Sequence, residues 1–167
     1  PLTGWMGHAK PFEFSPSYTA APTIDQYLCG TPSVLAMSAL DAALDVFDGV
    51  SLDVLRAKSL ALSDLFINTL RAADCWQEFT LLTPTEHTRR GSQVALAHPQ
   101  GYAITQALIA DRCVIDFRAP DVIRFGFTPL YLRYEDVWLA AQKLIRIIDT
   151  QTYLQPEYSR AAVGPVT

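Results

Sequence analysis

Val122-Ile123-Arg124-Phe125-Gly126-Phe127 sets large apolar side chains at every second position. A period of two predicts a half-buried strand, with Ile123, Phe125 and Phe127 on one face and Val122, Arg124 and Gly126 on the other. Upstream, Arg118-Ala119-Pro120-Asp121 reads as a connection from a strand at residues 113–117. Residues 92–97 repeat the alternation through Val94 and Leu96, and residues 79–83 form a further strand that Pro84 stops. Residues 85–90 between them form a polar loop.

Helical periods interleave with these strands. Ile104, Ala107 and Leu108 share the inner face of a short helix at 101–111, and Val137, Trp138, Ala141, Ile145 and Ile148 share a face of a longer one at 135–149. Residues 51–73 form a helix striped by Leu52, Leu55, Leu62, Phe66 and Leu70. The order helix, strand, strand, helix, strand, strand, helix predicts an α+β fold, with helices packed on one side of a small, mostly antiparallel sheet. The Asp48-Gly49-Val50 turn is the expected junction. It divides the chain into residues 1–49, a small α+β domain at 50–150, and a polar, proline-containing tail at 151–167 that wraps the surface.

Composition narrows the function classes. Half of the 167 residues are hydrophobic and 18% are charged, a well-buried globular profile. A net charge of −4 without a basic stripe argues against nucleic acid, and no apolar run reaches membrane-spanning length. The three cysteines, Cys29, Cys75 and Cys113, are odd in number and widely spaced, so no disulfide framework is expected. His8, His87 and His98 share no metal-ligand spacing with them, and no metal site is expected. A reducing cytoplasm suits this cysteine usage.

Residues 1–30 follow neither period, yet carry Trp5, Phe12, Phe14, Tyr18 and Tyr27, which points to an ordered, packed loop. At its head, Gly4-Trp5-Met6-Gly7-His8 holds an indole and an imidazole between glycines. Trp5 reads either as a loop anchor in a groove or as a ligand contact, and His8 as a loop hydrogen-bonder or a base. Gly30-Thr31-Pro32-Ser33 then opens a helix, with Thr31 as N-cap, Pro32 at the first helical position, and a stripe of Met37, Leu40, Leu44 and Phe47 before Gly49 ends it. A hydroxyl-lined helix start after a glycine is a competent anion site, although many such starts bind nothing. Arg124 has two readings of equal weight: a solvated residue on the open face of a sheet, or a planar fork beside the bare Gly126 that binds a carboxylate. The chain opens on Pro1, close to the first of these loops, and is expected to be the carboxyl-terminal part of a larger enzyme.

Over nearly its whole length the chain resembles kynureninases, pyridoxal 5′-phosphate (PLP) enzymes of the aminotransferase-like fold type I. Gly4-Trp5-Met6-Gly7-His8 is similar to the family's Gly-Trp-aromatic-Gly-His loop, with Met6 in the aromatic's place. Tyr27-Leu28-Cys29-Gly30-Thr31, Leu55-Arg56 with Lys58-Ser59, and Arg90-Gly91-Ser92-Gln93 follow in order. Ile123-Arg124, Pro129-Leu130-Tyr131 and Asp136-Val137 complete the set.

The resemblance implies that residues 1–49 end the large PLP-binding domain. It implies that Trp5 and Thr31 bind the PLP phosphate from the partner subunit of a homodimer, and that Arg124 holds the substrate's α-carboxylate. His8 and Gly30, with Met6, fall near the substrate's aryl ring, where Met6 alters ring stacking. The implied reaction is hydrolysis of L-kynurenine, or 3-hydroxykynurenine, to anthranilate and L-alanine in tryptophan catabolism and NAD biosynthesis. The family's cofactor-bearing lysine lies upstream of the Gly-Trp loop, and Lys10, Lys58 and Lys143 do not sit in its motif. No catalytic residue is therefore expected in this chain, and alone it is expected to be inactive. Two other classes stay open: a related fold-type-I enzyme such as a cysteine desulfurase or an aminotransferase, and a non-catalytic α+β module that binds an amino acid through Arg124.

Overall fold

Val94 and Leu96 of β2 (Gln93–Ala97) lie opposite Phe125 and Ile123 of β4 (Val122–Gly126) in an antiparallel ladder, and all four side chains are buried. β1 (Thr80–Leu81) pairs with the free edge of β2 and β3 (Asp116–Arg118) with that of β4, giving the order β1-β2-β4-β3 with every pair antiparallel. The computed structural model describes residues 3–160 and divides the chain into two compact units, Pro1–Gly49 and Val50–Thr167.

The second unit is the expected α+β arrangement. α2 (Leu52–Arg71) buries Leu62, Phe66 and Leu70, spaced by one helical turn each, against the sheet's apolar face. Phe66 packs its ring, tilted, 4.5 Å from that of Phe125 and 5.2 Å from that of Phe127. α3 (Gly101–Ala110) adds Ile104 and Leu108, and α4 (Tyr134–Asp149) adds Val137, Ala141 and Leu144. Each of these side chains except Ala141 contributes about 1.5–3 kcal/mol on leaving water. Ser59 and Ser63 are buried on α2 among them, and the Ser59 hydroxyl donates to that of Ser92 at 2.7 Å, fixing α2 to the entry of β2.

Several details depart from expectation. Leu52 and Trp138 are exposed, and Leu144 and Ile147 of α4 are buried in addition to Val137, Ala141 and Ile148. The third strand starts at Asp116 rather than at residue 113, because residues 112 and 113 close α3. Arg112 adopts φ +60°, its N–H donates to Ile109 O at 2.9 Å, and the N–H of Cys113 donates to Leu108 O at 2.8 Å. That is a Schellman closure with arginine in the left-handed position glycine usually takes. Beyond α4, Tyr153 turns inward and is buried, so part of the segment expected to wrap the surface belongs to the core. Residues 161–167 lie outside the described residues.

The first unit is built from short 3₁₀ turns and one helix, α1 (Val34–Leu44). Its N-cap is Ser33, whose hydroxyl accepts the N–H of Ala36, rather than Thr31. Gly49 ends the segment at φ +74°, a conformation that costs glycine little. Met37, Leu40, Leu44 and Phe47 are all exposed, and α1 buries no residue. Among the described residues no helix is long and apolar enough to cross a membrane.

Candidate functional site

The two loops singled out in the first unit lie against one another. A Cβ on Gly4 would fall 2.1 Å from the carbonyl oxygen of Cys29, and one on Gly7 would fall 2.7 Å from that of Gln26. Only a residue without a side chain permits either approach. The segment carrying Trp5 is thereby stacked, backbone on backbone, against the segment that runs into Gly30 and Thr31.

Trp5 sits in a 3₁₀ turn (Trp5–Gly7), stacked on Phe14 at 6.4 Å and meeting Phe12 edge-on at 5.6 Å. The indole remains 48% exposed and lines a cleft of ≈ 390 Å³ with His8, Lys10 and Tyr18. No described residue accepts from its N–H. Thr31 is exposed, released from capping by Ser33, and its hydroxyl has no partner among the described residues. The Trp5 indole N–H and the Thr31 hydroxyl are donors without acceptors among the described residues, the kind of donor a phosphate takes. They line separate pockets, however, and the N–H of Ala36 at the start of α1 is already taken by Ser33.

His8 is committed to its loop. Its Nδ1 accepts the N–H of Lys10 at 2.9 Å, so Nε2 carries the proton and donates it to Ser17 O at 3.1 Å. The hydrogen-bonding reading of His8 therefore accounts for both ring nitrogens. Tyr18 packs edge-on to the imidazole at 5.7 Å and donates to Gly7 O at 3.1 Å. Gly30 is half-buried with open space where a Cβ would stand.

In the second unit, Arg124 leaves the face of β4 that turns away from Phe125, as alternation requires. Gly126 has nothing within 4 Å of a would-be Cβ, so the space expected beside the guanidinium exists. The guanidinium is nevertheless engaged. Asp116, directly opposite on β3, accepts from Nε at 2.7 Å through Oδ1 and from one terminal nitrogen through Oδ2. Arg118 adds a contact to Oδ2 at 3.2 Å. The Arg124 hydrogen bond holds the Asp116 carboxyl below the usual carboxylate range, and the same bond raises Arg124.

Asp116 is the neighbour of Arg124 that sequence reading missed. The signal for it was the hairpin register. With strands at 113–117 and 122–127, position 116 falls opposite 123. The observed ladder instead pairs Asp116 with Arg124 and Arg118 with Val122. A shift of one residue decides which side chains share a face.

The cysteines offer no nucleophile of the desulfurase kind in the second unit. Burial, with the charges of Asp149 and Glu78, pushes the Cys75 thiol up to about 11, and burial raises Cys113 as well. Neither is a thiolate near neutral pH.

Residues 55–144, more than half of the chain, match the model of the kynureninase C-terminal domain. The chain belongs to the kynureninase family. It is 44% identical over 164 residues to a kynureninase of Burkholderia mallei (strain SAVP1), an alignment that covers 98% of this chain and 39% of that protein. It is 46% identical over 159 residues to a kynureninase of Pseudomonas fluorescens, covering 95% of this chain and 38% of the relative. A kynureninase of Burkholderia pseudomallei (strain K96243) matches at 44% over 164 residues. The chain thus spans about two fifths of the length of the kynureninases it matches, and corresponds to their C-terminal portion.

Proposed function

We propose that this chain is the C-terminal portion of a PLP-dependent hydrolase that cleaves L-kynurenine, or its 3-hydroxy form, to anthranilate and L-alanine. Family membership is the observation that carries the reading. The geometry supports the following parts. Trp5 and Thr31 hold the PLP phosphate through an indole N–H and a hydroxyl, supported by their free donors and by the backbone stacking of their two loops. Bound PLP supplies the electron sink for breaking the carbon–carbon bond. Residues 1–49 belong to the PLP-binding domain, 50–150 to the small domain and 151–167 to a tail.

Arg124 binds the α-carboxylate of the amino acid and so orients the bond to be broken. His8, held by both nitrogens, and Gly30, which adds no bulk, shape the surface near the aryl ring. The lysine that carries the cofactor comes from the part of the family's length that this chain does not span. Lys10 is paired with Glu13 at 2.9 Å, and Lys143 donates to the carbonyl of Asp111. The functional unit is a cytoplasmic homodimer whose phosphate contacts cross between subunits, and the free thiols of Cys29, Cys75 and Cys113 accord with a reducing compartment.

Anthranilate fluorescence tests the reading. The full-length PLP-loaded protein should release anthranilate from L-kynurenine, and this chain alone should not. Arg124→Ala should raise KM roughly 100-fold, the scale of losing a paired charge-assisted contact. Absence of anthranilate from the full-length protein, with PLP bound, overturns it.

A further inference from the structure

Arg124 is a clamp with one edge already used. A guanidinium presents its five N–H groups in one plane, as a side edge (Nε with one terminal nitrogen) and an end edge formed by both terminal nitrogens. Asp116 takes the side edge, through Nε and a single terminal nitrogen. No described residue accepts from the end edge. Asp116 is in turn gripped by Arg118, so the cluster of two guanidinia and one carboxylate keeps one positive charge in excess. The surroundings are low: Ala95 lies opposite Arg124 on β2, and Gly126 leaves open space two residues along the same strand. The small pocket there is lined by Gln93, Asp116, Arg124 and Gly126 among others.

We propose that Asp116 is a positioning residue for substrate recognition: it fixes Arg124 by the side edge and presents the end edge to the α-carboxylate. The inference rests on the reading of Arg124 as the carboxylate clamp. A long arginine side chain loses rotamer freedom when it binds, and Asp116 removes that freedom before the substrate arrives. The opposite role, a carboxylate that occupies the clamp and competes with substrate, would need Asp116 on the edge the substrate uses. The side-edge geometry argues against it.

The two roles shift KM in opposite directions. In the full-length PLP-loaded enzyme, Asp116→Asn should raise KM for L-kynurenine about tenfold, with a smaller change in kcat. Asp116→Glu, which keeps the charge, should recover part of the loss. The increment should vanish when Arg124 is already alanine, because the residue acts through that side chain. An unchanged or lowered KM for Asp116→Asn, while Arg124→Ala raises it, overturns the positioning role and leaves the clamp intact. An unchanged KM for Arg124→Ala overturns the clamp itself, and with it the role of Asp116.

Discussion

Arg90, with 1% of its side chain exposed, donates to the carboxylate of Asp64 on α2, whose other oxygen accepts from Nε2 of His87 at 2.8 Å. The pair fastens the loop before β2 to the helix beneath it. Burial of Asp64 opposes its ionisation, but the hydrogen bonds and charges of Arg90 and His87 outweigh that and hold its carboxyl below the usual range. Nε of Arg90 is buried without a partner, so the guanidinium depends on this one carboxylate. Asp64→Ala should therefore cost about 1–3 kcal/mol in urea unfolding. Solvent at the 36% exposed Asp64 keeps the loss under the ~3–5 kcal/mol of a fully enclosed pair. Arg90→Met, which removes the buried charge as well, should cost less. Equal midpoints for Asp64→Ala and the parent would show that Arg90 needs no counter-charge.

His98 carries a pH dependence opposite to that of a histidine whose pKa an ion pair raises. It is buried against Phe79 and Tyr153, and its Nδ1 accepts the N–H of Gln100 at 2.9 Å. Burial lowers its pKa, and Glu78, 3.7 Å from Nε2, opposes that only in part. With the folded value depressed, the unfolded chain takes up the proton first as pH falls. The stability is fully present above the ordinary value of about 6.5 and is lost below it, down through the folded value. Unfolding midpoints should fall between about pH 7.5 and about 5.5, and His98→Asn, which retains an acceptor for Gln100, should flatten that slope. A parallel slope in the variant would assign the dependence to other groups.

Much of this was legible from period alone. The strands around Val94, Leu96, Ile123 and Phe125 and the helices under Phe66 and Leu108 are set by burial, which the apolar spacing records directly. Register and capping were not legible, because both depend on partners distant in sequence or on single backbone angles. Asp116 met Arg124 only once the hairpin was placed. The third strand was shortened by an arginine in a left-handed turn, and Ser33 displaced Thr31 as the cap. The stripe on α1 pointed to a buried face, yet Met37 and Leu40 are exposed. Periodicity identifies which residues lie together on a helix, not what lies against them.

Two glycines should respond differently to the same methyl group. Gly4→Ala places a Cβ 2.1 Å from a backbone oxygen that cannot rotate away, so the Trp5 loop must move. PLP affinity of the full-length protein, read by absorbance titration, should fall about tenfold or more. Gly126→Ala meets nothing within 4 Å, and its stability should stay within about 0.5 kcal/mol of the parent. Retained PLP affinity in Gly4→Ala would show that the loop stacking does not serve the cofactor.

Phe66 is fully buried between Phe125 and Phe127, joining α2 to β4 and the residue after it. Phe66→Ala should destabilise by about 3–5 kcal/mol, through lost transfer energy and the cavity left behind. Phe66→Leu should cost much less. Chemical unfolding would separate the two, and a loss under 1 kcal/mol for alanine would mean, on the scale of ~20 cal/mol/Å² of cavity surface, that the site collapses around it.

In the first unit Gly7 is the only buried residue among those described, and α1 has none. The heat capacity released on unfolding scales with the apolar surface that unfolding exposes. A calorimeter should therefore record Val50 onward almost alone, with a heat-capacity step of about 1.2–1.5 kcal/mol/K, as for a domain of roughly 100 residues. Melting temperatures will then be silent about the loop that carries Trp5. A variant at Gly4 can leave the melting curve untouched while the Trp5 loop has moved, so a screen by thermal shift alone would pass it as intact.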